Sequence, residues 1–171
     1  MFAQFKSTIA VSVLLISSLV LSGCGFKLRG AFDIPAELQQ LELHVQDQRS
    51  ELAPQLKRLL KLNDVQLVAG SPYRLVILEE NYKRRSVTLG SDAKTDEYEL
   101  RAEIKFQVVT GQGESERILL GPRTLRTERA YSYDDNNASA QDGQESLLKR
   151  EIYGDLARQI VRQYISIKPG A

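Results

Sequence analysis

The segment Tyr98–Val109, YELRAEIKFQVV, decides the fold of this chain, because its apolar and polar residues alternate almost without a break. One face of an extended chain would carry Tyr98, Leu100, Ala102, Ile104, Phe106 and Val108. The other face would carry Glu99, Arg101, Glu103, Lys105 and Gln107. Alternation of this length predicts a β-strand with one face in a core and the other in water. The sheet therefore needs an apolar layer that covers one of its faces.

Two segments on either side of this strand have apolar residues at helical spacing. The first stripe consists of Leu52, Leu56, Leu59 and Leu60. Ser50 is its candidate N-cap, and Asn63-Asp64 is expected to end the helix. The second stripe consists of Leu148, Ile152, Leu156, Ile160 and Tyr164. It predicts a long helix to about Ile165, with Gly154 as a weak point. These two helices are the expected cover.

Further strands are predicted along the chain from alternation and β-branched content. The segments are Leu41–Val45 (with His44 facing away from the core), Tyr73–Leu78 and Ile118–Tyr133, and Val65–Val68 is expected to be a short extended piece. Gly121-Pro122 inside the last segment demands a bulge or an edge position. The order of elements predicts an α+β fold. We expect a two-layer sandwich in which both helices pack on one face of a roughly four-stranded mixed sheet, in a single domain over residues 36–168.

The N-terminus has the three parts of a secretory signal peptide. Met1–Lys6 carries one positive charge, and the apolar run Ile9–Leu21 is shorter than the roughly 20 residues that cross a bilayer as a helix. Leu21-Ser22-Gly23-Cys24 resembles a bacterial lipobox. We therefore expect removal of residues 1–23, acylation of Cys24, and a lipidated tether over residues 24–35. Gly25 stands where an aspartate would resemble the inner-membrane retention signal, so the expected destination is the outer membrane.

Composition excludes several classes of function. The 23 Lys and Arg balance the 22 Asp and Glu, so the broad positive field of a nucleic-acid binder is absent. One cysteine and one histidine allow neither a cysteine-based zinc cluster nor a site with two histidines. The window 134–145 has the length of a calcium loop, but Ser139 replaces its glycine and Ala138 replaces an oxygen ligand. It reads instead as a polar turn with Asn137 or Ser139 as a helix cap. We expect no metal, no cofactor and no enzymatic activity.

Basic residues form the most suggestive candidate site. Lys83-Arg84-Arg85 and Lys94 bracket the predicted connection between two strands, and such side chains are natural partners of phosphate. A second basic set, Arg123, Arg126 and Arg129, is split by strand parity, because Arg126 shares the parity of Glu128 and the other two share the opposite one. Only the segment 83–94 can then gather its charges on one loop.

Four segments, in this order and spacing, carry a resemblance to a known family. They are Cys24–Arg29 (CGFKLR), Leu59–Leu67 (LLKLNDVQL), Thr95–Leu100 (TDEYEL) and Glu151-Ile152-Tyr153. Together they resemble the LptE family of lipopolysaccharide-assembly lipoproteins of the Gram-negative outer membrane. The similarity spans nearly the whole mature chain.

The resemblance implies a two-helix, four-stranded sandwich and a one-to-one complex with the outer-membrane β-barrel LptD. It implies that the lipoprotein lies inside the barrel lumen as a plug, and that the pair inserts lipopolysaccharide into the outer leaflet. It also implies lipopolysaccharide binding by basic residues around the loops at one end of the sheet. The matching residues here are Lys83, Arg84, Arg85 and Lys94. The other loop at that end, 134–142, has acidic residues and no Lys or Arg.

Two other functions remain open from the sequence. One is a periplasmic module that binds lipopolysaccharide or another anionic lipid without a barrel. The other is a lipid-anchored hydrolase that uses the polar loop, with His44 and Asp134 as the residues to test. The second is disfavoured because no Gly-x-Ser-x-Gly turn and no Gly-rich phosphate loop occurs.

Overall fold

A computed structural model describes residues 34–89, 95–133 and 138–168 of this chain. The strands are β1 (Gln40–Val45), β2 (Gln66–Leu67), β3 (Tyr73–Leu89), β4 (Thr95–Thr110) and β5 (Arg117–Ser132). The helices are α1 (Leu52–Leu62) and α2 (Ala138–Ile165). Short 3₁₀ turns at Ala36–Gln39 and Gly113–Ser115 complete the fold.

The sheet is mixed and has the strand order β2-β1-β3-β4-β5. β1 pairs in parallel with β2 and β3, whereas β3, β4 and β5 form an antiparallel meander. Both helices pack against this sheet, and the α+β sandwich predicted from the sequence is confirmed. The sheet has five strands where about four were expected, because the extended piece at residues 65–68 pairs with β1 through Gln66 and Leu67.

One core lies between the helices and the covered face of the sheet. On β4, the side chains that are fully buried are Leu100, Ala102, Ile104, Phe106 and Val108, each 0 % exposed. The predicted face of this strand is confirmed. The helices contribute Leu52, Leu56, Leu60, Ile152, Leu156, Ile160 and Tyr164, which are also 0 % exposed. These are the positions that the two apolar stripes predicted.

β3 extends to Leu89 and is much longer than the predicted strand Tyr73–Leu78. A β-bulge interrupts the alternation of its side chains, so the sequence pattern did not predict the part after the bulge. Ile77 pairs with Phe106 and Glu79 pairs with Lys105, so Leu78 is the extra residue on β3. A bulge moves every later side chain to the other face of the strand. Leu75 and Ile77 face the helices before the bulge, and the even-numbered Glu80, Tyr82 and Arg84 face them after it.

β5 has both features that Gly121-Pro122 predicted. It is an edge strand of the sheet. Phe106 pairs with Arg123 and Val108 pairs with Leu120, so β5 has one extra residue in the stretch that contains Gly121 and Pro122. Because an edge strand leaves one row of N–H groups unpaired, proline costs little there.

The start of α1 is held by two side chains. The Ser50 hydroxyl accepts a hydrogen bond from the Ala53 N–H at 3.0 Å and donates to the Glu80 carboxylate at 2.5 Å. Glu80 also accepts from the N–H groups of Glu51 and Leu52. A carboxylate at this position satisfies unpaired donors and complements the helix dipole. Within the described ranges, neither helix is long and apolar enough to span a membrane.

Candidate functional site

The structure places the predicted basic residues Lys83, Arg84 and Arg85 inside β3 rather than in a loop. They pair with Arg101, Leu100 and Glu99 of β4. The expectation of a basic loop tip is therefore wrong for these three residues, because β3 continues through the bulge to Leu89. Arg84 faces the helices, whereas Lys83 and Arg85 lie on the open face. Lys94 and Cys24 lie outside the described residues.

Arg84 lies in a cluster of aromatic and acidic side chains where α2 crosses the sheet. Its guanidinium nitrogen is 3.0 Å from a carboxylate oxygen of Glu145 on α2. The guanidinium carbon is 3.8 Å from the ring centroid of Tyr98 and 5.9 Å from that of Tyr133. Because arginine is weakly hydrated and planar, it combines an ion pair with stacking at low cost.

Glu145 is the centre of this cluster, since side chains of β3 and β5 both contact its carboxylate. The hydroxyl of Tyr82 donates to one of its oxygens at 3.3 Å and that of Tyr131 to the other at 3.0 Å. Burial and the nearby Glu145 raise the pKa of Tyr82. Burial and the hydrogen bond to Glu145 raise the pKa of Tyr131 to about 12. Both hydroxyls therefore stay protonated as donors at neutral pH.

The open face of the sheet carries a continuous chain of ion pairs. Arg85 donates to both oxygens of Glu99, at 2.8 and 3.0 Å. Arg101 lies 3.2 Å from Glu99 and 3.2 Å from Glu128, so the chain of charges crosses from β3 through β4 to β5. The hydrogen bonds from Arg85 lower the pKa of Glu99.

Lys83 differs from its neighbours on this face. It is exposed and lies opposite Arg101, so two cations share one register position. Within the described part of the chain it forms no ion pair, whereas Arg84 and Arg85 each have a carboxylate partner. Of the three predicted site residues in β3, Lys83 has the charge that an external anion can neutralise most easily.

The second basic set is split as strand parity predicted. Arg129 forms an ion pair with Asp155 of α2 at 2.5 Å, and Arg123 donates to Gln163 of α2 at 3.3 Å. Arg126 lies on the open face, 4.0 Å from Glu128. These residues attach β5 to the helix or to the ion-pair chain and form no common site.

The residues considered for other chemistry are dispersed. His44 is exposed on β1 and faces away from the partly buried Leu43 and Val45, as predicted. Asp134 lies outside the described residues. The last eight residues of the calcium-like window, 138–145, belong to α2, which is incompatible with a calcium loop. In the described ranges, no three His, Cys, Asp or Glu side chains are arranged to hold a metal.

Sequence reasoning missed the cluster around Glu145. Its members come from β3, β4, β5 and α2. Residues that meet in it can be distant in sequence, as are Tyr82 and Glu145, which are 63 positions apart. A partial signal was present, because Tyr98 and Tyr131 fall on the apolar parity of their strands. Two tyrosines on the covered face need buried acceptors for their hydroxyls.

Comparison with known proteins places this fold in one family. The sequence profile of the LptE family, described as lipopolysaccharide-assembly, matches residues 38–164. The chain is 30 % identical over 159 residues to an LPS-assembly lipoprotein LptE of Pectobacterium atrosepticum, covering 91 % of this chain and 84 % of that protein. It is 28 % identical over 156 residues to an LPS-assembly lipoprotein LptE of Photorhabdus laumondii, covering 89 % and 82 %.

A solved structure supports the same assignment. The crystal structure of a minor lipoprotein from Acinetobacter baumannii is similar with a TM-score of 0.63 and 32 % identity, covering 75 % of this chain and 92 % of that one. The LptE family acts in lipopolysaccharide assembly and is not a class of enzymes. The profile match spans the sandwich from Leu38 to Tyr164, so this chain belongs to the LptE family of lipopolysaccharide-assembly lipoproteins.

Proposed function

We propose that this lipoprotein forms a one-to-one complex with the outer-membrane β-barrel LptD and lies in the barrel lumen as a plug. In this proposal it faces the periplasm, is anchored in the outer membrane by acyl chains on Cys24, and binds lipopolysaccharide for insertion into the outer leaflet. Binding and positioning carry this role, and no bond is made or broken by the protein.

The open face of the sheet is the observation that carries the proposal. Its charges, from Arg85 through Glu99 and Arg101 to Glu128, are paired with one another. A face that is polar and internally neutralised remains soluble next to the water-filled interior of a barrel, and it gives no reason for insertion into lipid. Plugging a lumen requires such a face, because the plug must fit the wall without an apolar surface.

Co-purification tests the plug directly. A photo-crosslinking residue in place of Glu103, in the middle of the open face, should join this chain to a barrel protein in intact cells. The unmodified complex should survive extraction in mild detergent at equal amounts of both chains. A protein that purifies alone and gives no adduct from position 103 would contradict the plug. If it still crosslinked to lipid, the result would favour a barrel-independent periplasmic binding module.

Lipid anchoring at Cys24 has its own test. Labelled palmitate fed to cells should appear in this protein and should be absent from a Cys24→Ala variant. Incorporation of label into the Cys24→Ala variant would place the acyl chain elsewhere, and no incorporation into the parent would remove the proposed anchor.

The proposed lipopolysaccharide site consists of Lys83, Arg84, Arg85 and Lys94. Its strongest member is Lys83, since a lipid A phosphate there would relieve the repulsion between Lys83 and Arg101. Arg84 and Arg85 already have carboxylate partners, so an anion must compete with Glu145 and Glu99 for them. Lys94, in the connection between β3 and β4, is included from the sequence alone.

Charge reversal tests this site. The double variant Lys83→Glu/Lys94→Glu should lose most crosslinking to lipopolysaccharide while it keeps the complex with the barrel. Arg150→Glu on α2 is the matched control, because Arg150 is exposed and forms no ion pair within the described ranges. Crosslinking that survives the double variant, or that falls equally with Arg150→Glu, would refute the site.

A further inference from the structure

One end of the sandwich, which we call the proximal end, is where the described chain begins. The strand termini at this end are Gln40, Gln66, Tyr73, Thr110 and Arg117, as the pairing of the five strands requires. The 3₁₀ turn Ala36–Gln39 leads into β1 there. The hydroxyl of Tyr164, near the end of α2, donates to the Leu38 carbonyl at 2.7 Å. The first described residues are thus fixed to the proximal end of the domain.

Exposed aliphatic side chains concentrate at this end. Leu62, the last residue of α1, is 70 % exposed, and Leu67 and Val68 after it are 41 % and 38 % exposed. Val68 is fixed there by a hydrogen bond from its N–H to the Leu41 carbonyl at 2.9 Å. Neighbouring aliphatic side chains on a surface mark a place of contact.

Basic residues of α1 lie in the turns of the helix that lead to Leu62. Lys57, Arg58 and Lys61 are all exposed, and within the described ranges none of them forms an ion pair. Lys57 and Lys61, one turn apart, line an open groove of about 650 Å³ whose other walls include Val65 and Leu67. Asp64 is the one acidic residue in the lining. A groove lined by two lysines and two aliphatic side chains, together with Gln39 and Gln66, fits an anionic headgroup whose acyl chains lie beside it.

We propose that this proximal patch (Lys57, Arg58, Lys61, Leu62, Leu67 and Val68) docks on an anionic phospholipid bilayer. The chain length between Cys24 and the patch supports this occupant. Cys24 stands ten positions before Ile34, so the anchor lies within roughly 35 Å of the proximal end even for an extended chain. An acylated Cys24 therefore keeps the patch close to a membrane surface. The proposal needs the lipid anchor and is independent of the barrel and of the lipopolysaccharide site.

The mature lipoprotein offers a specific labelling test. Cys24 is the only cysteine and its thiol would be acylated, so a cysteine introduced by Leu62→Cys is the only free thiol. A fluorophore at position 62 should be quenched by nitroxide lipids in vesicles that contain phosphatidylglycerol, and much less in vesicles of phosphatidylcholine alone. Leu147→Cys is the matched control, because Leu147 is 50 % exposed and lies on α2 near Glu145, away from the proximal end.

Neutralising the lysines should weaken the docking. Each basic residue near an anionic surface contributes about 1 kcal/mol, so Lys57→Gln/Lys61→Gln should lower the ratio of docked to undocked protein about thirtyfold. Quenching at position 62 that is absent, equal in neutral vesicles, matched at position 147, or insensitive to the two substitutions would overturn the proposal. Shielding of the label only after addition of the barrel would also overturn it, because the patch would then be a protein interface. Uptake of label by the parent protein would show a free Cys24 and would refute the anchor on which the docking depends.

Discussion

The two faces of the antiparallel half of the sheet use different physics, although they share the same strands and backbone hydrogen bonds. The covered face of β4 is stabilised by side chains that are 0 % exposed, including Ile104 and Phe106. The open face of the same strand carries Arg101 and Lys105 in ion pairs that are partly exposed. Burial of a large apolar side chain contributes about 1.5–3 kcal/mol, whereas an exposed ion pair contributes about 0–1 kcal/mol. The stability of the fold therefore depends mainly on the covered face. The residues of the open face contribute little to stability, so they can serve contacts with a partner.

The largest expected effect is at Phe106. It is fully buried and lies opposite Ile77 and Arg123, beside the bulges of β3 and β5, so the Phe106→Ala variant leaves a cavity that these strands cannot easily close. We expect a loss of about 3–5 kcal/mol in the free energy of unfolding, measured by urea denaturation. Gln107→Ala on the opposite face is the control and should change stability by less than about 0.5 kcal/mol. Equal effects of the two substitutions would remove the distinction between the faces.

The Glu145 cluster extends the comparison to polar residues on the covered side. Glu145→Ala would leave the hydroxyls of Tyr82 and Tyr131 and the guanidinium of Arg84 without their acceptor. Hydrogen bonds to a charged group contribute about 1.5–3 kcal/mol, so we expect a loss of about 2–3 kcal/mol by urea denaturation. Glu151→Ala, exposed on the same helix and without a hydrogen bond in the described ranges, should be nearly neutral. A neutral Glu145→Ala variant would mean that the cluster adds nothing to stability.

The raised pKa of Tyr131 should make the stability of the protein depend on pH in the alkaline range. Burial and the hydrogen bond to Glu145 raise its pKa to about 12, above the value of about 10 in an unfolded chain. The folded state then retains a proton that the unfolded state loses. The stabilisation is complete below pH 10 and declines as the pH rises towards 12.

The measurement is urea denaturation of the parent and of Tyr131→Phe at a series of pH values. The difference in stability between the two proteins should shrink by about 2 kcal/mol from pH 10 to pH 12. The phenylalanine variant removes only the hydroxyl at position 131, and it keeps the burial and the contact with Glu145 that mainly raise the pKa of Tyr82. A difference that stays constant with pH would show that Tyr131 titrates normally in the folded state.

The sequence predicted the covered face well, and the reason is physical. Regular burial produces a regular pattern, so β4 and the two helices could be placed from alternation and from the four-residue steps of Ile152 and Leu156. The hydrogen bond that Ser50 accepts from the Ala53 N–H was also predictable, because a helix cap acts on residues close in sequence, although the residue at the cap position is Glu51. In these cases the contact that matters is local or is repeated along one element.

The part of β3 after the bulge at Leu78 could not be predicted, because its contacts are neither local nor repeated along one element. The bulge at Leu78 moves the side chains after it to the other face, and the run Lys83-Arg84-Arg85 then looks like a solvated loop. Arg84 faces the helices only because of that register shift. Its partner Glu145 is brought to it by the packing of α2, which no spacing in the sequence records.

The smallest expected effect is on the open face. It tests whether an exposed ion pair contributes as little to stability as the comparison of the two faces implies. Lys105 lies 3.0 Å from Glu79, and both side chains are about half exposed, at 41 % and 54 %. Lys105→Ala should cost less than about 1 kcal/mol, and the cost should fall in high salt because exposed charges are screened. Lys83→Ala is the matched control: Lys83 has no ion pair in the described ranges and faces Arg101, so its removal should be neutral or slightly stabilising. A salt-independent loss at Lys105 as large as that of Glu145→Ala would mean that the open face also holds the fold together, and that its charges are not free to serve a partner.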